Sequence, residues 1–253
     1  MELLKFSRGN AKLSKSTLIF SLPAGKTCPG ARFCRSMAVY KDLSGISSKR
    51  QIQDGPEVEF RCFAASQEVQ YDNVFKLRAH NLGALVRAER LGGVEAMREL
   101  IIRSIAKNLR PGIQLIRIHE SGDFYSAAYL QAWIEAAATF PGLRFYFYSK
   151  SLNLFVNRLL PGNMFLTASV GGRFDNLIDR FERYSLVVNT EDEATKLGLE
   201  VDHDDSHCLG DKPFALLVHG TQPRGSAAGR AIRERRKAGK FAGYNGSRAK
   251  VTA

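Results

Sequence analysis

The sequence has no long apolar run, few cysteines and few acidic residues for its number of basic ones. No stretch of about 18 or more consecutive apolar residues occurs, so no membrane-spanning helix is expected. Residues 1–10 lack the apolar stretch and the cleavage site of a signal peptide. We therefore expect a cytoplasmic protein, in a reducing environment that disfavours disulfides and favours metal binding by thiolates.

The remaining composition is that of a globular protein. An apolar fraction of 44% and a charged fraction of 25% are ordinary, and 253 residues fit one large α/β domain or two small ones. The 37 basic and 25 acidic residues leave a formal net charge of +12. Much of this excess lies at the end of the chain, where residues 221–253 carry nine basic residues and one acidic residue.

This charge distribution predicts two regions. We expect one α/β domain over residues 1–220 and a basic, poorly ordered tail over residues 221–253, with one helical stretch near residues 227–238. Such a tail attracts nucleic acid without regard to sequence, or it serves only as a solvated, solubilising end. Both interpretations stay open at this point.

Short apolar runs alternate with helical patterns along the chain. Strands are predicted at residues 17–22, 113–118, 143–149, 164–169, 185–189 and 214–219. Helices are predicted at residues 72–108, 125–139, 152–159 and 174–183, and again from Glu191. This alternation indicates a mostly parallel sheet with right-handed crossover helices. Six strands are too few for a closed eight-stranded barrel, so we expect an open or partial (β/α) barrel, with a doubly wound sheet as the alternative.

The cysteines are concentrated in an N-terminal loop region. Cys28 and Cys34 are separated by five residues, Cys62 follows 27 residues later, and Cys208 comes after an acidic segment. They lie among Pro, Gly, Arg and Asp, whereas a cysteine that only fills core space lies on an apolar face. This pattern favours a shared iron–sulfur cluster, with Arg32 beside the ligands stabilising its negative charge.

Two other interpretations of the cysteines stay open. Zinc bound by Cys28, Cys34 and Cys62 with His203 or His207 is one, although the spacing differs from that of zinc fingers and ribbons. The absence of any metal is the other.

Polar residues follow the predicted strands at their carboxyl ends, where ligands gather in parallel sheets. His119 with Glu120 and Asp123 suggests acid–base chemistry; alternatively, Asp123 caps a helix and Glu120 pairs with a basic neighbour. Ser149 and Lys150 follow the next strand, and Lys150 either binds a substrate carboxylate or is an exposed lysine.

Two polar residues directly follow Cys62. Ser66 and Gln67 either support cluster binding or simply begin the next helix.

Three stretches carry a family resemblance: residues 21–31, with Pro-Ala-Gly-Lys-Thr-Cys-Pro-Gly, residues 59–68, around Arg-Cys-Phe-Ala-Ala-Ser-Gln, and residues 116–124, with His-Glu-Ser-Gly-Asp. They resemble bacteriophage proteins of the gene-product-88 type, over about residues 1–210. The resemblance implies a phage origin and action in the host cytoplasm. It also implies a [4Fe–4S] cluster on Cys28, Cys34, Cys62 and Cys208, and release of sulfide from cysteine.

Three functions follow from these observations. In the first, Cys208 does not bind the cluster. The iron without a cysteine ligand then acts as a Lewis acid in lyase chemistry on a small amino acid, as in a cysteine desulfidase. In the second, the cluster is structural and the basic tail binds nucleic acid. The third is radical S-adenosylmethionine-like chemistry, although the cysteines of that superfamily are more closely spaced than these.

Overall fold

The computed structural model describes residues 2–10, 13–42 and 49–240, and it contains one large sheet and one separate hairpin. The strands are β1 (Ser7–Arg8), β2 (Thr17–Ile19), β3 (Ser36–Tyr40), β4 (Arg50–Asp54), β5 (Leu115–Arg117), β6 (Arg144–Ser149), β7 (Met164–Ser169), β8 (Tyr184–Val188), β9 (Glu200–Val201) and β10 (Phe214–Leu217). The large sheet has the order β1-β2-β5-β6-β7-β8-β10-β9, and β3 pairs with β4 in the antiparallel hairpin.

The large sheet is open and mostly parallel, as predicted. From β2 to β9 every neighbouring pair is parallel, and β1 alone runs antiparallel, against β2. From β2 through β10 the order across the sheet follows the order along the chain, apart from the edge strand β9. Because the strands are parallel, their carboxyl ends lie at one edge, where the polar residues were expected to meet.

The described residues form five α-helices: α1 (Phe63–Gln70), α2 (Asp72–Asn108), α3 (Ala127–Ala138), α4 (Glu191–Lys196) and α5 (Ala227–Lys237). α2 has the predicted bounds, and its backbone kinks at Gly92 and Gly93. None of the described helices combines the length and the apolar character needed to cross a bilayer.

Two predicted helices are shorter than expected. Residues 152–159 contain only the 3-10 turn Leu152–Leu154, and Asn157 then adopts a left-handed backbone with φ of 62°. Residues 174–183 likewise contain a 3-10 turn, Asp175–Arg180. At these lengths, the apolar pattern does not distinguish a 3-10 segment from a short α-helix.

α2 and α3 cover one face of the sheet and form the main core. β6 shows why, because its side chains alternate between two covered faces. Phe145 and Phe147 are fully buried in the main core with Trp133 of α3. Tyr146 and Tyr148 point to the other face of the sheet, where they join a second hydrophobic cluster around Phe214.

The C-terminal region packs on the domain through α5, near the place where a helix was predicted. Ser226 caps this helix by accepting a 3.0 Å hydrogen bond from the Gly229 amide. Ala228 and Ile232 are buried against Val218 of the segment after β10. Residues 241–253, the rest of the predicted tail, lie outside the described residues.

Replacing Ile232 with Ala tests whether α5 is held by this contact. Loss of the buried side chain removes about 2 kcal/mol of packing, so amide exchange should accelerate across α5. Hydrogen exchange followed by mass spectrometry measures the effect, with Leu197→Ala as the control because Leu197 is 53% exposed. Unchanged exchange in α5 would show that Ile232 does not hold the helix.

Candidate functional site

A cavity of about 2030 Å³ opens at the carboxyl ends of the parallel strands, on the face opposite α2 and α3. The residues with a predicted site role border this cavity, except Arg32 and Cys208. They are Cys28, Cys34, Cys62, Ser66, Gln67, His119, Glu120, Asp123, Ser149 and Lys150. Residues far apart in the sequence therefore share one site because the strands that carry them are parallel.

Three free thiols, those of Cys28, Cys34 and Cys62, are half-buried at this cavity. Burial raises the pKa of all three, that of Cys62 to about 12, and their mutual repulsion raises those of Cys28 and Cys62 further. Thiols of this kind are poor nucleophiles at neutral pH. A metal centre would have to displace their protons, so binding would release protons.

Two positive side chains act against this effect. Lys150 lowers the pKa of Cys34, and Arg78 lowers that of Cys62. The first-turn amides of Ala64 and Ala65 in α1 also lower the pKa of Cys62. The thiolate form of the group is therefore partly supported by fixed positive charge and backbone dipoles.

A close backbone approach holds the loop of Cys28 and Cys34 to the sheet. A Cβ atom on Gly30 would lie 2.2 Å from the Lys150 carbonyl oxygen, so only glycine fits there. The Phe33 amide donates to the Gly171 carbonyl oxygen at 3.0 Å, and the Arg173 amide donates to that of Gly30 at 2.8 Å. These contacts attach the loop to the ends of β6 and β7.

A buried ion pair holds Cys62 and α1 beside the same loop. Arg78 of α2 lies 3.0 Å from the Glu68 carboxylate, and each side chain is at most 2% exposed. The Ala24 amide, just before the cysteine loop, donates to Glu68 at 2.8 Å. The Arg78 guanidinium also donates to the Ala64 carbonyl oxygen at 2.9 Å. The two segments that carry the thiols are thus joined to α2 at one buried point.

The structure places Cys208 and Arg32 away from this group. Cys208 is buried in the second cluster with Tyr146 and Phe214, and burial raises its pKa to about 12. Arg32 is an exposed residue that pairs with Glu57 at 2.6 Å. The sequence could not reveal this separation, because it does not say where along the sheet a distant cysteine packs.

Asp123 joins the ends of β5 and β6. Its carboxylate accepts hydrogen bonds from the Ser149 hydroxyl at 2.7 Å, the Lys150 amide at 2.8 Å and the Ser151 hydroxyl at 3.3 Å. Burial raises its pKa, while these donors lower it. Asp123 does not cap α3, because Ser126 does so by accepting from the Tyr129 amide at 3.1 Å.

Lys150 has its ammonium group at the rim between β6 and β7. Nζ donates to the Ser169 hydroxyl at 2.5 Å and to the Val170 carbonyl oxygen at 2.7 Å. An ammonium group has three donors, so one N–H stays available for a ligand. Lys150 is 9% exposed, which contradicts the interpretation as an exposed lysine.

His119 turns the chain at the end of β5, with a left-handed φ of 65°. Its ring is buried, and Nε2 lies 2.9 Å from the Tyr129 hydroxyl. Burial keeps that phenol protonated by raising its pKa, and its hydroxyl is able either to donate to Nε2 or to accept from it. Nδ1 has no partner among the described residues.

Glu120, Ser66 and Gln67 all take part in the scaffold. The carboxylate of Glu120 lies 3.5 Å from Arg78, in agreement with the pairing to a basic neighbour. Gln67 accepts from Arg78 at 2.6 Å, and the Ser66 hydroxyl accepts from the Thr221 amide at 3.1 Å. These side chains border the cavity while holding α1 in place.

No group of three or more His, Cys, Asp or Glu side chains within residues 2–10, 13–42 and 49–240 is arranged to hold one metal ion. Of the two histidines considered for zinc, His203 borders the cavity, whereas His207 lies 3.1 Å from Glu200 and 3.6 Å from Asp202. Within the described residues, therefore, not even the three thiols form a three-ligand group for a single ion.

Several residues of this site were not predicted from the sequence. Arg78 lies within a long helix whose pattern does not indicate which polar side chain is buried. The rings of Phe63 and His219 are tilted by 31° to each other, with centroids 4.4 Å apart, and both residues border the cavity. The basic residues of the α5 region that border it are Arg224, Arg233, Arg235, Arg236 and Lys240.

Replacing Gly30 with Ala tests the close approach of the cysteine loop. The added methyl group would push the loop off Lys150, and we expect a loss of about 1–3 kcal/mol in the free energy of unfolding. Urea denaturation measures this loss. Gly142→Ala is the matched control, because a Cβ there meets nothing within 4 Å. Equal stability of the two variants would contradict the described loop position.

The pH dependence of stability tests the state of His119. Burial lowers its pKa to about 3, below the value of about 6.5 in the unfolded chain. Neutral His119 therefore adds stability above pH 6.5 that is lost as the pH falls towards 3. The free energy of unfolding should fall over this range by several kcal/mol more in the native protein than in His119→Asn. Parallel curves would show that His119 is not buried in its neutral form.

The comparisons with known proteins agree with the resemblance found in the sequence. A search of curated proteins and a search of solved structures both gave no match. The family model described as gene product 88 matches residues 3–240. The match extends beyond the expected residue 210 and includes α5. This chain belongs to the gene product 88 family.

Proposed function

We propose that this protein is a phage-encoded enzyme of the host cytoplasm that binds a [4Fe–4S] cluster through Cys28, Cys34 and Cys62. The observation that carries the proposal is the grouping of three free, half-buried thiols at the edge of a large cavity. Cys208 is buried away from them, in the hydrophobic cluster with Tyr146 and Phe214. With three protein ligands, one iron keeps a coordination position for a substrate.

The donor set fits a cluster better than zinc. A zinc ion needs its ligand atoms at about 2.3 Å for sulfur, so all of them must converge closely on one point. In a cluster each thiolate binds a different iron, and the thiolates can lie further apart. The thiols interact electrostatically without forming a single-ion site in the described residues, which agrees with the cluster.

Fixed positive charge also supports an anionic cluster. Arg78 is held beneath Cys62 by Glu68, and Lys150 lies near Cys34. Their charges offset part of the negative charge that three thiolates would bring to this site.

The substrate that we propose is a small amino acid, with cysteine as the first candidate. When bound, the cluster would supply a Lewis acid for cleavage of a carbon–sulfur bond. Loss of hydrogen sulfide from cysteine breaks the Cα–H and Cβ–S bonds and forms a Cα=Cβ double bond, so a proton is taken from Cα and one is given to sulfur. Nζ of Lys150 keeps one position free, and we assign to it the transfer of this proton from Cα to sulfur, or the binding of the substrate carboxylate.

The structure changes the role that we assign to His119. Nε2 is occupied by the Tyr129 hydroxyl, so Nδ1 is the ring nitrogen left for a ligand, and burial lowers the pKa of the ring to about 3, which makes it a poor base. We assign it to orienting the substrate through a hydrogen bond. Of the two residues expected to move a proton, Lys150 is therefore the stronger candidate.

Anaerobic purification of single Ala variants tests the ligand set. We expect the Cys28, Cys34 and Cys62 variants to lose most of their iron and acid-labile sulfide, because each removes a ligand. Cys208→Ala is the matched control and should keep the full content. Loss of iron in Cys208→Ala, or no loss in the other three, would contradict the assignment.

Lys150→Met separates the cluster from the reaction. This variant keeps an unbranched side chain that is one atom shorter, and it removes the charge. We expect it to keep most of its iron, because all three thiol ligands remain, and to release sulfide from cysteine at least about 100-fold more slowly. Native protein that holds iron and releases no sulfide would contradict the lyase proposal while leaving the cluster in place.

A further inference from the structure

The α5 region forms a wall of the cysteine-lined cavity. Ala228 and Ile232 fix the helix on the domain. Arg224, Arg233 and Arg236 border the cavity and are exposed, so they lie at its edge. The basic end of the chain, which the sequence presented as a separate tail, thus contributes to the same site as the thiols.

These three arginines have no carboxylate partner among the described residues. Arg233 donates to the Arg224 carbonyl oxygen at 2.8 Å, which leaves most donors of the group unused. Two of the acids that border the cavity pair with other basic residues: Glu191 with Lys240 at 2.7 Å, and Asp205 with Arg117 at 2.5 Å. Neither carboxylate neutralises the three arginines, whose guanidinium groups match phosphate geometry well.

Aromatic rings lie at the same cavity. Phe63, directly after Cys62, and His219 form a tilted ring pair with centroids 4.4 Å apart. Tyr71 is 41% exposed and also borders the cavity. Rings next to a basic groove are the combination that stacks the bases of a single nucleic-acid strand while arginines hold its phosphates.

The cavity is larger than a small molecule needs. Its volume of about 2030 Å³ exceeds the range of roughly 300–1,000 Å³ that is usual for small-molecule sites. A recess of this kind admits an unpaired base, whereas a base in a duplex cannot leave its stack without cost.

We infer that this cavity binds a single-stranded nucleic acid. Arg224, Arg233 and Arg236 hold the phosphates, and an unpaired base stacks at Phe63, His219 and Tyr71 beside the thiols. This binding shares the cavity with the proposed lyase chemistry but does not require that chemistry. It places a nucleic-acid strand at the residues that hold the cluster, where the sequence suggested only a distant, unspecific tail.

Fluorescence anisotropy of the full-length protein tests this inference. The probes are a labelled single strand of about 12 nucleotides, within the roughly 4–16 that such sites cover, as DNA and as RNA, and the corresponding duplex. We expect both single strands to bind, and the duplex to bind at least about 10-fold more weakly. Equal binding of duplex and single strand would overturn the inference, as would no binding of either strand.

The double variant Arg233→Gln/Arg236→Gln should bind the single strand at least about 10-fold more weakly at low salt. Its salt slope should fall by about 1 to 1.5, since each lost phosphate contact removes about 0.7. Arg103→Gln/Lys107→Gln on α2 is the matched control, because it makes the same charge change away from the cavity. Equal losses in the two variants would show that only net charge matters.

Tyr71→Ser tests the stacking surface separately. It should weaken binding about 5- to 10-fold without changing the salt slope, because no phosphate contact is lost. Unchanged affinity in this variant would show that no base stacks on Tyr71, and it would overturn the inference. These assays measure neither iron nor sulfide, so their failure is distinguishable from failure of the proposed lyase.

Discussion

The buried ion pair between Arg78 and Glu68 is the contact on which the site depends. It joins α2 to α1, and through Glu68 it also fixes the Ala24 amide at the start of the cysteine loop. Glu120 at the end of β5 lies 3.5 Å from the same guanidinium. A buried ion pair adds little net stability, because the cost of desolvating both charges offsets their attraction. Its contribution here is to fix the relative position of α2 and the two segments that carry the thiols.

The charge arrangement of the cavity follows from this scaffold and from α5. Neutral thiols and the neutral ring of His119 occupy one side, where burial disfavours charge. Arg78 and Lys150 supply fixed positive charge near the thiols, and α5 adds uncompensated arginines at the opening. Such a site favours anionic occupants, whether an anionic metal cluster, a carboxylate or a phosphate.

Much of the framework was predictable from local patterns. The bounds of α2 and the central strands followed from periodicity, and the common edge followed once the strands were taken as parallel. The hairpin of β3 and β4 was missed, because the polar sequence of β4 lacks an apolar alternation. The burial of Arg78 and the position of Cys208 depend on how the helices and strands pack against one another. A single sequence does not reveal this packing. For α5, Ala228 and Ile232 are too few apolar residues to distinguish a docked helix from a solvated one.

Mössbauer spectroscopy of the anaerobically purified protein tests the central claim most directly. Three thiolate ligands and one open position predict that one iron of the cluster differs from the other three, and that its signal changes when cysteine is added. Four equivalent irons, or the absence of cluster iron from the anaerobic protein, would contradict the account.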